Sequence, residues 1–202
     1  IAETGCFHLV ASNPQEAVDF ALIAHRIAEL SLIPGINIID GDDEQEIELP
    51  SKEDIIKFLG DTDDHINCPT PSQQMIFGKN RRRIPNWFNL DHPTLNGTLK
   101  DGQSMAFEAA ANQKYFYDHL PELIEQAFTE YNEVTGRSYA SVAAYRAGDA
   151  GHLILTRGAI YHKVISVVDN MRDNKASVGC LNLSMLRPFP VEDLLNLLKG
   201  KK

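Results

Sequence analysis

The apolar run Val178–Leu183 leads through Ser184-Met185-Leu186 into Arg187-Pro188-Phe189-Pro190, and this stretch constrains the fold more than any other. Proline has no N–H to donate to a ladder, so the run reads as a short buried strand that ends in a stiff loop. Upstream, Leu153-Ile154-Leu155-Thr156 is a second apolar run, and between the two Ile160, Val164, Val167, Val168 and Met171 recur at helical spacing. Strand, helix and strand in this order make a βαβ unit. Its crossover is right-handed by the general rule, and its parallel strands need cover on both faces, so this half of the chain is α/β. Arg187, at the strand end and before a proline, is expected to act as a latch on a carboxylate or on strand-end carbonyls.

The start of the chain repeats the pattern. Thr4–Ala11 reads as a strand, Asn13 as a helix N-cap, Pro14 as the first helical residue and Glu16 as the capping-box partner. Ala17, Ala21, Ala24 and Ala28 form a stripe of small residues suited to close approach of a sheet, Pro34 ends the segment, and Ile36–Ile39 is the next strand, closed by Asp40-Gly41. Ligands of open α/β sheets sit beyond the C-terminal strand ends, where Ser12, Asn13, Gln15 and Asp40 fall. Two readings stay open there: a ligand-binding turn, or a helix cap alone.

From Asp40 to Asp54 eight acidic residues fall in fifteen, without the ligand order of a calcium loop, so a solvated acidic segment is expected. Residues 60–104 hold Pro69, Pro71, Pro85 and Pro93 with Gly78, Gly97 and Gly102, the punctuation of a long connection. In it, Lys79-Asn80-Arg81-Arg82-Arg83 is a basic patch expected to pair with the acidic segment, and Trp87 and Phe88 are expected to pin the connection to a domain. Residues 104–135 carry a helical rhythm interrupted at Pro121, with Gly136 as the left-handed stop. Tyr139–Tyr145 follows as a strand candidate, and Leu194, Leu195, Leu197 and Leu198 as a short final helix.

With 43% hydrophobic and 23% charged residues, 202 residues can bury one or two cores of ordinary size. No apolar stretch approaches the roughly 20 residues of a membrane span. The net charge of -9 opposes nucleic acid and anionic membrane as partners. Three scattered cysteines fit neither a disulfide framework nor a metal motif, which points to reduced thiols and a cytoplasmic protein. The seven histidines lack paired spacing, and no phosphate-loop, dinucleotide or nucleophile-elbow motif occurs. No catalytic or metal-ligating residue is assigned on these grounds.

A set of stretches in fixed order nevertheless resembles the pyruvate:ferredoxin (flavodoxin) oxidoreductase family of thiamine-dependent 2-oxoacid oxidoreductases. They are Thr4-Gly5-Cys6, Ala11–Ala17 with Asp19, Ala21 and Leu22, Ile33-Pro34, Asp40-Gly41, Asn89–Pro93, Gly97, Thr135–Tyr139, Asp149-Ala150, Val178-Gly179 and Arg187-Pro188-Phe189. The resemblance implies an α/β fold of two three-layer α/β/α units with mostly parallel sheets. Residues 1–59 would be part of a thiamine-pyrimidine-type domain, 60–96 a linker, and 97–202 a transketolase C-terminal-like domain. It also implies a piece of a larger enzyme that decarboxylates a 2-oxoacid to acyl-CoA and passes electrons to ferredoxin or flavodoxin. Thiamine diphosphate, magnesium and iron–sulfur clusters would belong to that parent enzyme, with none expected on this chain alone. Ser12, Asn13 and Gln15 would line its cofactor pocket. The implied partners are the remaining domains or subunits and the electron acceptor, with a homodimer as a further expectation.

Two departures from the family pattern accompany the match. The family's Phe-Arg-Thr-Ser-His-Glu after Asp-Gly is Asp42-Asp43-Glu44-Gln45-Glu46 here, and its Gly-Ser after the 153–156 strand is Gly158-Ala159. Positive and hydroxyl groups have become an acidic loop that repels anions. An alternative function is therefore a degenerate, non-catalytic scaffold or interaction domain of a multidomain redox enzyme.

Overall fold

The computed structural model describes residues 5–41, 44–61, 63–85 and 102–201, so the expected anchors Trp87 and Phe88 lie outside the described residues. The chain opens with β1 (Phe7–Ala11), buried along its whole length, followed by α1 (Pro14–Ser31) and β2 (Gly35–Ile39). β2 runs parallel to β1, from Phe7 opposite Gly35 to Ala11 opposite Ile39. Asn13 caps α1 as expected, its Oδ1 accepting the Glu16 N–H at 2.9 Å, with Pro14 at the first helical position. The Glu16 carboxylate accepts from Ser12 N at 2.7 Å, one residue before the N-cap. The alanine stripe is not the buried face. Phe20, Ile23, Ile27 and Leu30 are, while Ala21 is exposed and Ala17, Ala24 and Ala28 flank the core. Larger side chains remove more apolar area from water and so set the rotation of the helix.

Between residues 52 and 85 the chain forms α2 (Lys52–Leu59), β3 (His65–Asn67), α3 (Pro71–Phe77) and β4 (Asn80–Arg82), with β3 and β4 antiparallel. Ser51 and Thr70 cap the two helices, accepting from Asp54 N at 3.0 Å and Gln73 N at 3.3 Å. The basic patch does not turn to the acidic segment as expected. Arg81 is buried and donates to the Glu29 carbonyl and, at 2.9 Å, to Gln73 Oε1; Arg83 Nε lies 3.3 Å from the Glu29 carboxylate, and Arg82 pairs with Asp63. The last turn of α1 exposes unpaired carbonyls, which a guanidinium satisfies at short range.

α4 (Gly102–Tyr115) leads through a 3-10 turn at Tyr117–His119 into α5 (Leu120–Thr135), which has Pro121 in its first turn. The break thus falls where Pro121 requires it, because only in a helix's first turn is the N–H that proline lacks not needed. Gly136 stops the helix at φ 71°, donating to the Asn132 carbonyl at 2.8 Å. α5 packs on α1 and α2: the Phe20 and Phe128 rings meet edge-on at 5.8 Å, and Phe58 and Tyr131 at 5.0 Å.

The remaining elements are β5 (Val142–Tyr145), β6 (His152–Thr156), α6 (Ile160–Asp173), β7 (Val178–Leu183), β8 (Met185–Arg187) and α7 (Val191–Leu198). β6 and β7 are parallel neighbours, so the second βαβ unit is present. The strand order of this sheet is β5-β7-β6, with β5 antiparallel to β7. α6 covers one face through Tyr161 and Val168 on Cys180 and Val178, and α7 covers the other through Leu194 with Leu181 and Leu183. β7 does not end in a loop. After Ser184 it resumes as β8, which enters the first sheet antiparallel to β1, giving the order β2-β1-β8. Ser184 joins the two sheets: its carbonyl accepts from Val10 N at 2.8 Å and its N–H donates to the Ser141 carbonyl at 3.1 Å.

The fold is α/β with small sheets, and the expectation of mostly parallel sheets needs correction. Each three-stranded sheet joins one parallel and one antiparallel pair. One continuous stretch, Val178–Arg187, serves both sheets, so its direction is imposed on each and cannot match every neighbour. Arg187 is exposed at its end, opposite His8, and forms no ion pair among the described residues, so it is not the latch expected.

Candidate functional site

The C-terminal ends of β1 and β2 face the turn that follows β6 in the other sheet. Asp40, at the end of β2, accepts the Ala159 N–H at 2.8 Å and so serves the open N-terminus of α6 from a different unit. The approach is tight. A Cβ on Gly158, whose φ is 71°, would lie 2.2 Å from the Asp40 carboxylate, so only glycine fits.

His162, one turn into α6, reaches the end of β1. Its Nε2 lies 2.9 Å from Asn13 Nδ2 and 3.1 Å from Ser12 Oγ. Because Asn13 Oδ1 is committed to the Glu16 N–H, its Nδ2 must face the ring. Nδ2 is a donor only, so Nε2 accepts and the ring proton sits on Nδ1. The Ser12–His162 distance matches a nucleophile and its base, but the Ser12 side chain is buried and Asn13 shares the accepting nitrogen. The pair therefore closes the seam between the sheets.

Gln15 points elsewhere. Its Oε1 accepts from Glu48 N at 2.7 Å and its Nε2 donates to the Glu48 carbonyl at 3.0 Å, a reciprocal pair that ties the acidic segment to α1. The same Nε2 lies 3.2 Å from both oxygens of Asp19, which is fully buried. Asp19 also accepts from Tyr131 Oη at 2.6 Å, from Tyr139 Oη and from the Arg137 guanidinium, whose Nη2 donates to the Glu48 carbonyl at 2.6 Å. Burial first, and then hydrogen bonding to Asp19, push the Tyr131 and Tyr139 phenols well above their ordinary range. A charge this deep is tolerated because it is paired and fully hydrogen-bonded.

Sequence reasoning placed Ser12, Asn13 and Gln15 in one turn, and the structure sends them two ways: Ser12 and Asn13 to the seam, Gln15 to the Asp19 network. It assigned no role to His162, Asp19, Arg137, Tyr131 or Tyr139. The one signal present was Asp19 in an otherwise apolar helix run four residues after Gln15, the spacing that puts two side chains on one face.

This donor set does not fit a metal-bound diphosphate. The charged side chains in the seam contacts are Asp40 and Glu16, both acidic, and no group of three His, Cys, Asp or Glu among the described residues could hold a metal ion. In those contacts an anion would meet two carboxylates.

Two βαβ units closed strand end against strand end define an α/β protein whose candidate site lies at a seam between halves. The chain belongs to the pyruvate:ferredoxin/flavodoxin oxidoreductase family. Residues 1–129 match its model described as pyruvate flavodoxin/ferredoxin oxidoreductase, thiamine diphosphate-binding, and residues 150–202 match pyruvate:ferredoxin oxidoreductase core domain II. It is 31% identical over 196 residues to the pyruvate-flavodoxin oxidoreductase of Enterobacter agglomerans, covering 95% of this chain and 15% of that protein. It is 29% identical over 206 residues to the pyruvate synthase subunit PorA of Thermotoga maritima, covering 99% of this chain and 47% of that subunit. A PorA subunit of Methanothermobacter thermautotrophicus matches at 26% over 204 residues, 98% of this chain and 48% of the subunit. The chain thus spans about half the length of these PorA relatives and a far smaller part of the Enterobacter protein.

Proposed function

We propose that the chain is a piece of a thiamine-diphosphate-dependent 2-oxoacid:ferredoxin (flavodoxin) oxidoreductase, which oxidises a 2-oxoacid to acyl-CoA, carbon dioxide and reduced acceptor. The observation that carries this is the collinear match of both family models along one chain whose two matched parts meet at their strand ends. In this reading residues 1–59 belong to a thiamine-pyrimidine-type α/β/α unit and the C-terminal half to a transketolase C-terminal-like one. Packing of α5 on α1 argues for setting the boundary after Gly136. Ser12 and Asn13 contribute a neutral wall beside the cofactor ring, and Gln15 holds the segment bordering it. Thiamine diphosphate supplies the carbanion chemistry when bound. The magnesium, the diphosphate ligands and the iron–sulfur clusters belong to other parts of the parent enzyme, as do the partner subunits and the cytoplasmic ferredoxin or flavodoxin it would reduce.

A second reading is supported by the acid at the seam. With Asp40 on the N-terminus of α6 and acidic residues following it, the chain is a non-catalytic scaffold or interaction domain of the same family. Calorimetric titration with thiamine diphosphate and magnesium should give no measurable heat for residues 1–202 under either reading; micromolar binding would show that the seam holds a complete pocket. The readings part in the natural full-length protein. Pyruvate- or 2-oxoacid-dependent reduction of flavodoxin, diminished by Asn13→Ala, supports the enzyme, and its absence in a folded, cofactor-supplied protein supports the scaffold.

A further inference from the structure

α6 begins without a cap of its own: Ala159 holds the N-cap position and has no side chain that could accept a hydrogen bond. The head of the helix receives a carboxylate from elsewhere, since Asp40 accepts the Ala159 N–H at 2.8 Å across 119 positions of chain. The backbone is shaped to admit that group. Gly158 has a φ of 71°, a Cβ on it would lie 2.2 Å from the Asp40 carboxylate, and a Cβ on Gly41 would lie 3.0 Å from that of Ala159. Glycine at a strand-to-helix turn, with backbone N–H groups turned to a negative charge, is the ordinary construction of an anion cradle.

A second donor lies under the same turn. Side chains alternate along β7, and Val178 and Cys180 pack toward α6, so Asn182 faces α6 as well. It stands opposite Thr156, on the last rung before β6 turns into α6. Asn182 is fully buried, its Oδ1 lies 3.5 Å from the Thr156 hydroxyl, and its Nδ2 has no hydrogen-bond partner. Buried amide donors are ordinarily paired, so an unpaired one beneath a helix N-terminus marks a place for an acceptor. Arg157, next to Gly158, is exposed and forms no ion pair among the described residues.

We infer that the head of α6 is an anion site for a carboxylate or phosphate group, held shut by the chain's own Asp40. The contact is autoinhibitory: Asp40 supplies the one negative charge that the cradle takes, and Glu16, bonded to Ser12 in the same seam, adds to the repulsion of a second. An external anion binds there only where Asp40 leaves Ala159. The inference holds whether the parent protein is catalytic or a scaffold.

Titration of the chain with sodium acetate and with inorganic phosphate, followed by the amide resonances of Ala159 and Ile160, tests it. The unaltered chain should show no saturable shift. Asp40→Ala, which clears the cradle, should bind one of the two anions at least roughly tenfold more tightly than the unaltered chain, the gain expected of one charge-assisted hydrogen bond, and the ratio of the two affinities tells a carboxylate site from a phosphate site. Asp40→Asn removes the same charge but keeps the cradle filled and should bind no better than the unaltered chain. Adding Asn182→Ala to Asp40→Ala should weaken the binding. Equal binding by Asp40→Asn and Asp40→Ala would mean that only the lost charge matters and overturns the inference, as does a folded Asp40→Ala that binds neither anion. Where Asp40→Ala does not fold by itself, refolding in acetate or phosphate beyond that in sodium chloride of equal ionic strength supports the site, and no such recovery overturns it.

Discussion

Replacing Asp19 by Asn is the sharpest test of how the two halves of the first unit are held. The carboxylate is fully buried and accepts from two phenols, one amide and one guanidinium. Asn cannot satisfy this set: its amide nitrogen presents a donor to donors, and Arg137 keeps its charge with only the exposed Glu48 carboxylate, 3.9 Å away, as counter-ion. Breaking a buried pair costs about 3–5 kcal/mol, and the Arg137 side chain, 19% exposed and still bonded to the Glu48 carbonyl, recovers part of that, leaving about 2–4 kcal/mol. With a urea slope of about 2–3 kcal/mol per molar, the denaturation midpoint should fall by roughly 1 M. Arg137→Met alone should also destabilise, and the double variant should lose less than the sum of the singles, because each change removes what the other left unpaired. A midpoint shift below about 0.3 M for Asp19→Asn, or strict additivity in the cycle, would refute the account of a coupled buried network.

The phenols of the same network set a pH limit. The folded-state pKa values of Tyr131 and Tyr139 lie above their unfolded values, chiefly through burial, so the folded chain binds more protons above pH 10 and stability falls as pH rises from there, by up to about 1.4 kcal/mol per pH unit for each phenol. Urea midpoints that stay level between pH 9 and 11 would contradict this. Asn13→Ala removes the N-cap and the His162 contact and should cost about 1–2 kcal/mol, whereas Asn13→Asp keeps the cap and should cost less, both read by thermal melts. Gly158→Ala drives a methyl into the Asp40 carboxylate and should destabilise the seam; adding Asp40→Ala should restore most of the loss, leaving about 1 kcal/mol for the left-handed backbone, and no rescue would mean the two groups do not touch.

Local chemistry determined a good deal of this protein from sequence alone. The cap at Asn13 and Pro14, the restart at Pro121, the stop at Gly136 and the two βαβ units depend on residues a few positions apart, and each is present. What sequence could not supply depends on contacts across long separations. Arg81 and Arg83 face Glu29 rather than the acidic segment because the β3–β4 pair lies against the end of α1. Gln15 joins Asp19, Tyr131 and Arg137 because α5 packs on α1, and no periodicity encodes which helix covers which. The run after Leu183 becomes a strand in the other sheet, although two prolines stand just beyond it, because β1 offers an unpaired edge that satisfies its backbone. The seam itself, with His162 on Asn13 and Asp40 on Ala159, joins residues more than a hundred positions apart. Only the tertiary structure decided that the two strand ends meet, since hydrogen bonds of that range reward a chain only after its whole topology has formed.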